Sequence, residues 1–515
     1  DSKILYEREP RVYFGERSPT YSIVGAPDGS RPQELDFPDE SGTGQTNNTY
    51  EGEGGVPVGS LFNRLLYAVK FQEGNILLSN FVNADSKILY EREPRERIEK
   101  VAPWLTLDGD PYPAVVEGRI VYIVDGYTTS NDYPYAARRT LEETTVDSVT
   151  ATSRTGTVVA QAPDEVNYIR NSVKATVDAY DGTVTLYEWD QSDPVLKAWR
   201  KAFPDTVQDR EEISDELLQH LRYPEDLFKV QRELLSRYHV TDPQAYYGGQ
   251  DFWKVPADPT LPSGDQDQPP YYLTLQMPGQ EQATFSLTST FTPAARPQLS
   301  AFMAVNADPA SGEDYGKMRV LRLPRNTTVP GPGQVQNQFD SDPEVSSQLN
   351  LLRRGNSEVV SGNLLTIPVG DGLLYVEPVY VRAAGGESYP LLRKVLVGFG
   401  DRVAFADTLQ LALDDIFEGE AGTDTDETVP APPPAEGTPT PPPPDGSVDP
   451  TVQAALTEAQ AALVESDAAL RAGDFAAYGV AQARLRAAIE RALAAEAAAA
   501  GGTTPAPTET PNPGG

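Results

Sequence analysis

The stretch Val101 to Tyr135, VAPWLTLDGDPYPAVVEGRIVYIVDGYTTSNDYPY, decides how the rest of the chain is read. It sets apolar strands, an acidic turn and a run of tyrosines side by side. Leu105-Thr106-Leu107 leads into the turn Asp108-Gly109-Asp110. Ala114 to Val116 and Arg119 to Val124 flank Glu117-Gly118, which reads as a tight hairpin because glycine tolerates positive φ. The second strand is expected to end at Asp125-Gly126, ahead of Tyr127, Tyr133 and Tyr135.

Two kinds of site are suggested here. Asp108, Asp110 and Asp125 supply hard oxygen ligands of the sort Ca²⁺ takes, although the twelve-residue calcium-loop pattern is missing. Asp and Gly are also simply the residues turns are made of. No cofactor beyond Ca²⁺ is expected. Tyr127, Tyr133 and Tyr135, with Trp104 nearby in sequence, form a candidate partner-binding surface, since aromatic residues are enriched at interfaces. Such rings also half-bury in loops and hydrogen-bond locally.

Composition narrows the class. The chain has 515 residues, a formal net charge of −34 and a pI near 4.4. Nucleic acid is an unsuitable partner, because its phosphates need a basic footprint. The same excess of acid argues against adsorption to an anionic lipid surface. There is no cysteine, so disulfides, thiol catalysis and zinc thiolate sites are excluded. No apolar run reaches the roughly eighteen residues of a membrane span, and no signal peptide stands at Asp1. The chain does not begin with Met, and we read it as a piece of a longer protein.

DSKILYEREPR occurs at Asp1 to Arg11 and again at Asp85 to Arg95. A repeat architecture recurs imperfectly at a fixed period, so the copy at Asp1 reads as an artefact of assembly. The second copy runs on into a helix from Arg95 to Val101. Val12 to Gly15 and Tyr21 to Val24 read as short strands, and Arg31 to Tyr50 as a polar loop. Ser60 can cap a helix to Gln72, with Gly74 past its end. Leu61, Leu65 and Val69, with Phe62 and Leu66, make one apolar face. Asn167 to Trp189 is a hairpin turning at Asp181-Gly182.

Asp193-Pro194, Ser214 and Pro224 start three further helices. His220 and His239 lie on the second and third. Neither is accompanied by a nucleophile motif, and a cation near a helix C-terminus is favoured by the dipole. From Tyr271 to Leu413 the pattern turns to β, with strands at Tyr271 to Gln276, Ala283 to Phe291, Leu299 to Val305, Lys317 to Leu323, Leu364 to Pro368, Leu373 to Val381 and Lys394 to Phe399. A helix at Pro343 to Arg354 interrupts them and one at Thr408 to Phe417 closes the body. Helices mixed with meandering strands indicate an α+β fold with mostly antiparallel sheet.

The expected organisation is therefore a body over 1–417, with room for a division into 1–260 and 261–417. A disordered acidic Pro-rich linker follows over 418–448. An αα-hairpin occupies 449–499, with Val452, Leu456, Leu463 and Leu470 on its first arm and Tyr478 and Leu485 on its second. A disordered tail ends the chain at 500–515.

Several runs resemble a known family. WLTLDGDPYPAVVEGRIVYIVDGYTTS, VNYIRNSVKATVDAYDGTVTLYEWD, LRYPEDLFKVQRELLSRYHV and LRAGDFAAYGVAQARL are similar to uncharacterised protein family 0182. The resemblance covers nearly the whole chain from Val12 onward. It implies a multi-pass bacterial membrane protein with about seven N-terminal spans of the usual apolar length, of which this chain looks like the large C-terminal extracytoplasmic region. It carries no activity and no catalytic residues. The partners it implies are the protein's own transmembrane domain, and an envelope protein or a second copy engaged through 449–499.

Three functions stay open at this stage. One is a non-catalytic extracytoplasmic module at the cell membrane, serving envelope assembly, transport or partner recruitment. Another is an envelope glycan hydrolase, which needs two carboxyls about 5–10 Å apart across a cleft; Asp108, Asp110, Asp125, Asp178, Asp181 and Glu188 are its candidates. The third is a polysaccharide- or calcium-binding surface protein.

Overall fold

The computed structural model describes residues 11–419 except 28, 33, 39–44, 80, 154–156, 250, 262–264, 325–327, 355–356 and 384–388, with scattered positions of a C-terminal helical region. It divides into two compact units, Asp1–Thr425 and Asp426–Gly515. The first is α+β, and its named strand pairs are antiparallel.

The hairpin at Glu117-Gly118 forms as its sequence demands. Both residues have positive φ, 53° and 78°, and Val116 pairs directly with Arg119, the geometry of a two-residue turn whose twist matches the flanking strands. The second strand does not stop at Asp125-Gly126. It runs from Arg119 to Ser130, because the Tyr168–Asp178 strand pairs along it from Val121 to Ser130. Gly126 is there for closeness rather than for a turn: a Cβ would sit 3.1 Å from Leu105 Cδ1 and 3.3 Å from Val173 Cβ.

The first sheet has the order Val184–Glu188, Tyr168–Asp178, Arg119–Ser130, Thr106–Leu107, with Tyr112–Val116 also paired to the long central strand. Both of its faces are covered. Ile98 and Leu196, from the Pro94–Val101 and Pro194–Ala202 helices, bury against Val124, Val173, Ala175 and Leu186. On the opposite face Ile123 and Trp189 meet Leu217 and Leu221. Each such aliphatic residue stabilises the fold by about 1.5–3 kcal/mol relative to exposure. The polar positions alternating with Val173, Ala175 and Val177 are consequently not solvated, and Lys174 is fully buried.

The second sheet comprises Tyr271–Leu275, Thr284–Pro293, Ala301–Asn306 and Met318–Arg322, with Trp253–Lys254 paired to Thr284–Pro293. Phe228, from the Glu225–Tyr238 helix, packs there with Leu287, Phe291 and Met303. The third sheet is built on the long Gly372–Ala383 and Leu391–Phe399 strands. Val335, Phe339 and Val345 cover its Tyr375 and Val379 face. Ala412 and Ile416 of the Leu409–Phe417 helix cover its Leu374 and Val376 face. Glu377 falls between Tyr375 and Val379 on the first of these faces. It is wholly buried, and neither carboxylate oxygen has a hydrogen-bond partner.

Some local expectations change. Val12 to Gly15 is a bend, not a strand: the Tyr13 and Phe14 amides both donate to the Ala179 carbonyl at 2.8 Å, which wraps the segment over the sheet end. The polar segment Arg31 to Tyr50 contains a hairpin, Glu34–Pro38 against Gln45–Asn48, announced only by the brief alternation of Leu35 and Phe37 with Glu34 and Asp36. Helix α1, Leu61–Phe71, is capped by Ser60 as expected but ends at Gln72 in the left-handed conformation. Its apolar face points outward.

The second DSKILYEREPR copy supplies the Lys87–Tyr90 strand, held between Tyr21–Val24 and Val56–Pro57, with Ile88 and Leu89 fully buried. The copy at 1–11 lies outside the described residues apart from Arg11. The linker from 420 onward and the tail at 500–515 also lie outside them. In the 449–499 region the described positions include helical Ala462, Glu465, Ala481 and Arg484. Arg484 pairs with Glu465, and Ala462 and Ala481 are buried.

Candidate functional site

The densest assembly of titratable groups grows from the stretch that opened the sequence reading. Strand alternation puts Ile123, Asp125 and Tyr127 on one face of the Arg119–Ser130 strand. Lys174 is the direct cross-strand neighbour of Asp125, and the two form a buried ion pair. Asn171 donates to the same carboxylate at 2.9 Å. The Lys174 ammonium also donates to the Arg222 carbonyl at 2.7 Å.

The Asp108-Gly109-Asp110 turn docks onto the start of the Glu225–Tyr238 helix. Asp108 accepts from the Tyr127 hydroxyl and, at 3.1 Å, from the Asp226 amide. The Gly109 amide donates to Asp226 at 2.8 Å. A Cβ at Gly109 would lie 2.0 Å from the Val159 carbonyl oxygen, so only glycine lets the turn lie this close. Arg222 donates to Asp110 at 2.7 Å. Gln161 bridges the Leu107 carbonyl and Asp226 at 2.7 and 2.6 Å. One turn along the helix, Lys229 pairs with Asp147 at 2.6 Å and Glu225 at 3.0 Å.

Electrostatically this is a crowded, largely buried site. Six carboxyls (Asp108, Asp110, Asp125, Asp147, Glu225, Asp226) share three cations (Lys174, Arg222, Lys229). Burial raises the carboxyls of Asp110, Asp125 and Glu225 and lowers the Lys174 ammonium. Burial would lower Lys229 as well, yet Glu225, Asp226 and Asp147 hold it above its ordinary value. Asp226 is pushed up to about 8, first by burial and then by Asp108. A proton resting on Asp226 near neutrality relieves part of the surplus negative charge.

The three Ca²⁺ candidates are placed on separate partners. Asp125 lies within a strand and is taken by Lys174, Asp110 by Arg222, and Asp108 by a hydroxyl and an amide. Among the described residues no group of three or more His, Cys, Asp or Glu could hold a metal. The aromatic candidates fall in different environments. Tyr127 is fully buried, because the extended strand turns it toward Asp108. Trp104 is half-buried and stacks on Trp199 with centroids 5.3 Å apart. Tyr133 and Tyr135 are exposed, and Tyr133 stacks on Tyr168 at 4.6 Å.

The remaining hydrolase candidates are engaged by cations. Asp178 and Asp181 both grip Arg119, at 2.7 and 2.6 Å, and Glu188 binds Arg200 at 2.6 Å. The His239 ring lies between the Leu235 and Asp251 carbonyls at 2.9 and 3.0 Å and stacks on Trp253. Clefts of about 630 and 640 Å³ open elsewhere, around Ile23, Val24 and Glu34, and share no residue with the ion network. Sequence reasoning missed Lys174, Arg222, Asp226 and Lys229. Lys174 alternates with Val173 and Ala175 in sequence, and Asp226 stands in the first turn of its helix, positions where a charged residue is ordinary.

The model of the Uncharacterised protein family (UPF0182) matches residues 2–352. The chain belongs to this family. It is 54% identical over 516 residues to a UPF0182 protein of Paenarthrobacter aurescens, covering 97% of this chain and 51% of that protein. It is 53% identical to one of Arthrobacter sp. (95% and 50%), and 54% identical to one of Streptomyces coelicolor (96% and 48%). The chain thus spans about half the length of these UPF0182 relatives. No solved structure matches it. Among the described residues no helix is long and apolar enough to cross a membrane.

Proposed function

We propose that this chain is a non-catalytic extracytoplasmic module of a multi-pass bacterial membrane protein, acting in envelope assembly, transport or partner recruitment. The observation that carries the reading is the ion network itself. Its carboxyls are spent on residues of the same chain, tying the Asp108-Gly109-Asp110 turn, the first sheet and the Glu225–Tyr238 helix together. A glycan hydrolase needs two carboxyls facing a shared cleft, whereas these face one another's counterions. The cysteine-free, acid-rich composition suits an aqueous space outside the cytoplasm, and relatives of twice the length leave ample chain for a membrane-embedded half.

The test is topological. Alkaline phosphatase and a green fluorescent protein are fused in turn after Phe417 of the full-length protein in a host bacterium. An active phosphatase and a dark fluorescent fusion are expected, because the first folds only outside the cytoplasm. The opposite pattern overturns the placement. Release of sugar from cell-wall glycan by the purified chain, abolished by Asp108→Asn or Asp181→Asn, overturns the non-catalytic part.

A further inference from the structure

Helix α1 is amphipathic the wrong way round for a helix that belongs only to this fold. Leu61, Phe62, Leu65, Leu66 and Val69 cover roughly 140° of its circumference at 100° per residue, and all five are exposed, Leu61 at 72% and Val69 at 70%. The inward side carries the polar groups. Asn63 donates to the Pro57 carbonyl at 2.9 Å, and Arg64 donates to the Val58 and Val82 carbonyls at 3.3 and 2.6 Å. Only Tyr67, Ala68 and Phe71 pack inward, near Ile76 and Ile88.

The short helix α2, Asn75–Leu78, continues the pattern. Leu78 is 78% exposed and Phe81 just beyond it 77%. Apolar side chains left exposed in such number on one short segment mark a docking site.

Charge tells what would cover it. The whole chain holds 76 acidic residues in 515, about one in seven, yet Glu73 is the sole acid between Gly54 and Ala84. Lys70 stands at the edge of the apolar arc, exposed. No hydrogen-bonding side chain interrupts the five-residue face. A protein partner fixes its register through polar contacts around an apolar centre. A lipid interface asks only for apolar insertion, a cation at the margin and few acids.

We infer that the α1–α2 segment inserts its outward apolar face into a lipid bilayer interface, seating the acidic body against a membrane through an acid-poor patch. This deepens the reading above by naming a surface for it, and the two are separable: vesicle binding is measured on the chain alone, topology on the full-length protein.

The chain is mixed with vesicles of zwitterionic phosphatidylcholine and floated on a density gradient. Single substitutions Leu65→Asp and Val69→Asp, at exposed positions, are compared with Tyr247→Asp, an exposed ring outside the segment. The wild type and Tyr247→Asp are expected to float. The Leu65→Asp and Val69→Asp variants should lose binding at least about tenfold, since each removes an aliphatic side chain from the apolar phase. Circular dichroism and sedimentation velocity on the same samples check fold and association.

A wild type that stays with the soluble fraction overturns the inference. So does equal flotation of all four proteins. A dimer that Leu65→Asp dissociates, with no flotation, assigns the face to a second copy instead. If either aspartate variant loses its circular dichroism signal, Phe81→Ser replaces it, and undiminished flotation of that variant overturns the inference equally.

Discussion

Glu377 offers a sharp test of how the third sheet is held. Its side chain is wholly buried between Tyr375 and Val379, with no hydrogen-bond partner on either oxygen. Burial pushes its carboxyl from the ordinary 4.5 to about 7; Ser361 and Gln336 approach and offset part of that effect without reaching hydrogen-bond geometry. The folded state therefore holds the proton more tightly than the unfolded chain. Below pH 4.5 the carboxyl is protonated in both states and its ionisation carries no penalty. Stability then falls as pH climbs from 4.5 to about 7, and the full penalty applies above that.

The rise from 4.5 to about 7 corresponds to about 3 kcal/mol. Glu377→Gln keeps the shape and removes the titration. Any cost of burying the unpaired amide is the same at every pH, so it drops out of a difference. Urea unfolding at pH 5 and pH 8 supplies the comparison. The wild type should lose about 2–3 kcal/mol more than the variant between these two values. Parallel pH profiles for the two proteins would refute the reasoning, since they would mean the carboxylate is paired or wetted when ionised.

Other outcomes follow from the ion network. Lys174→Met should cost about 3–5 kcal/mol in thermal or urea unfolding, because it strands the buried Asp125 charge; adding Asp125→Leu should recover much of that, and a double variant no better than the single one contradicts the pairing. Gly109→Ala should destabilise by about 2 kcal/mol or more, as its Cβ would meet the Val159 carbonyl at 2.0 Å. Asp226→Asn should flatten the decline of stability between about pH 4 and pH 8, the window set by a carboxyl raised to about 8. Millimolar Ca²⁺ should leave the melting temperature unchanged, and a rise that Asp108→Asn abolishes would restore the calcium reading.

Much was legible in local sequence because local physics dictates it. Glu117-Gly118 and Asp181-Gly182 had to be turns, and Gly182 has the positive φ such a turn needs. Ser60, Asp193, Ser214 and Asp342 cap the helices their positions announced. The α+β class followed from strands and helices of ordinary length in mixed order. Membership of the UPF0182 family was legible in long contiguous runs.

What the sequence could not contain is which side of an element meets which partner. An alternating strand names two faces without saying whether the second is wet, so nothing in the local pattern marks Lys174 and Asp125 as a buried pair. An amphipathic helix names an apolar face without saying whether the fold buries it, and α1 turns that face outward because Tyr67 and Phe71 already meet the core. Asp108 and Asp226 lie 118 residues apart in the chain and share one hydrogen bond in the structure. Composition, turns, caps and family are short-range or cumulative properties, which a sequence carries by itself. Contact between distant segments, and the charge balance that results, exists only after the chain has closed on itself.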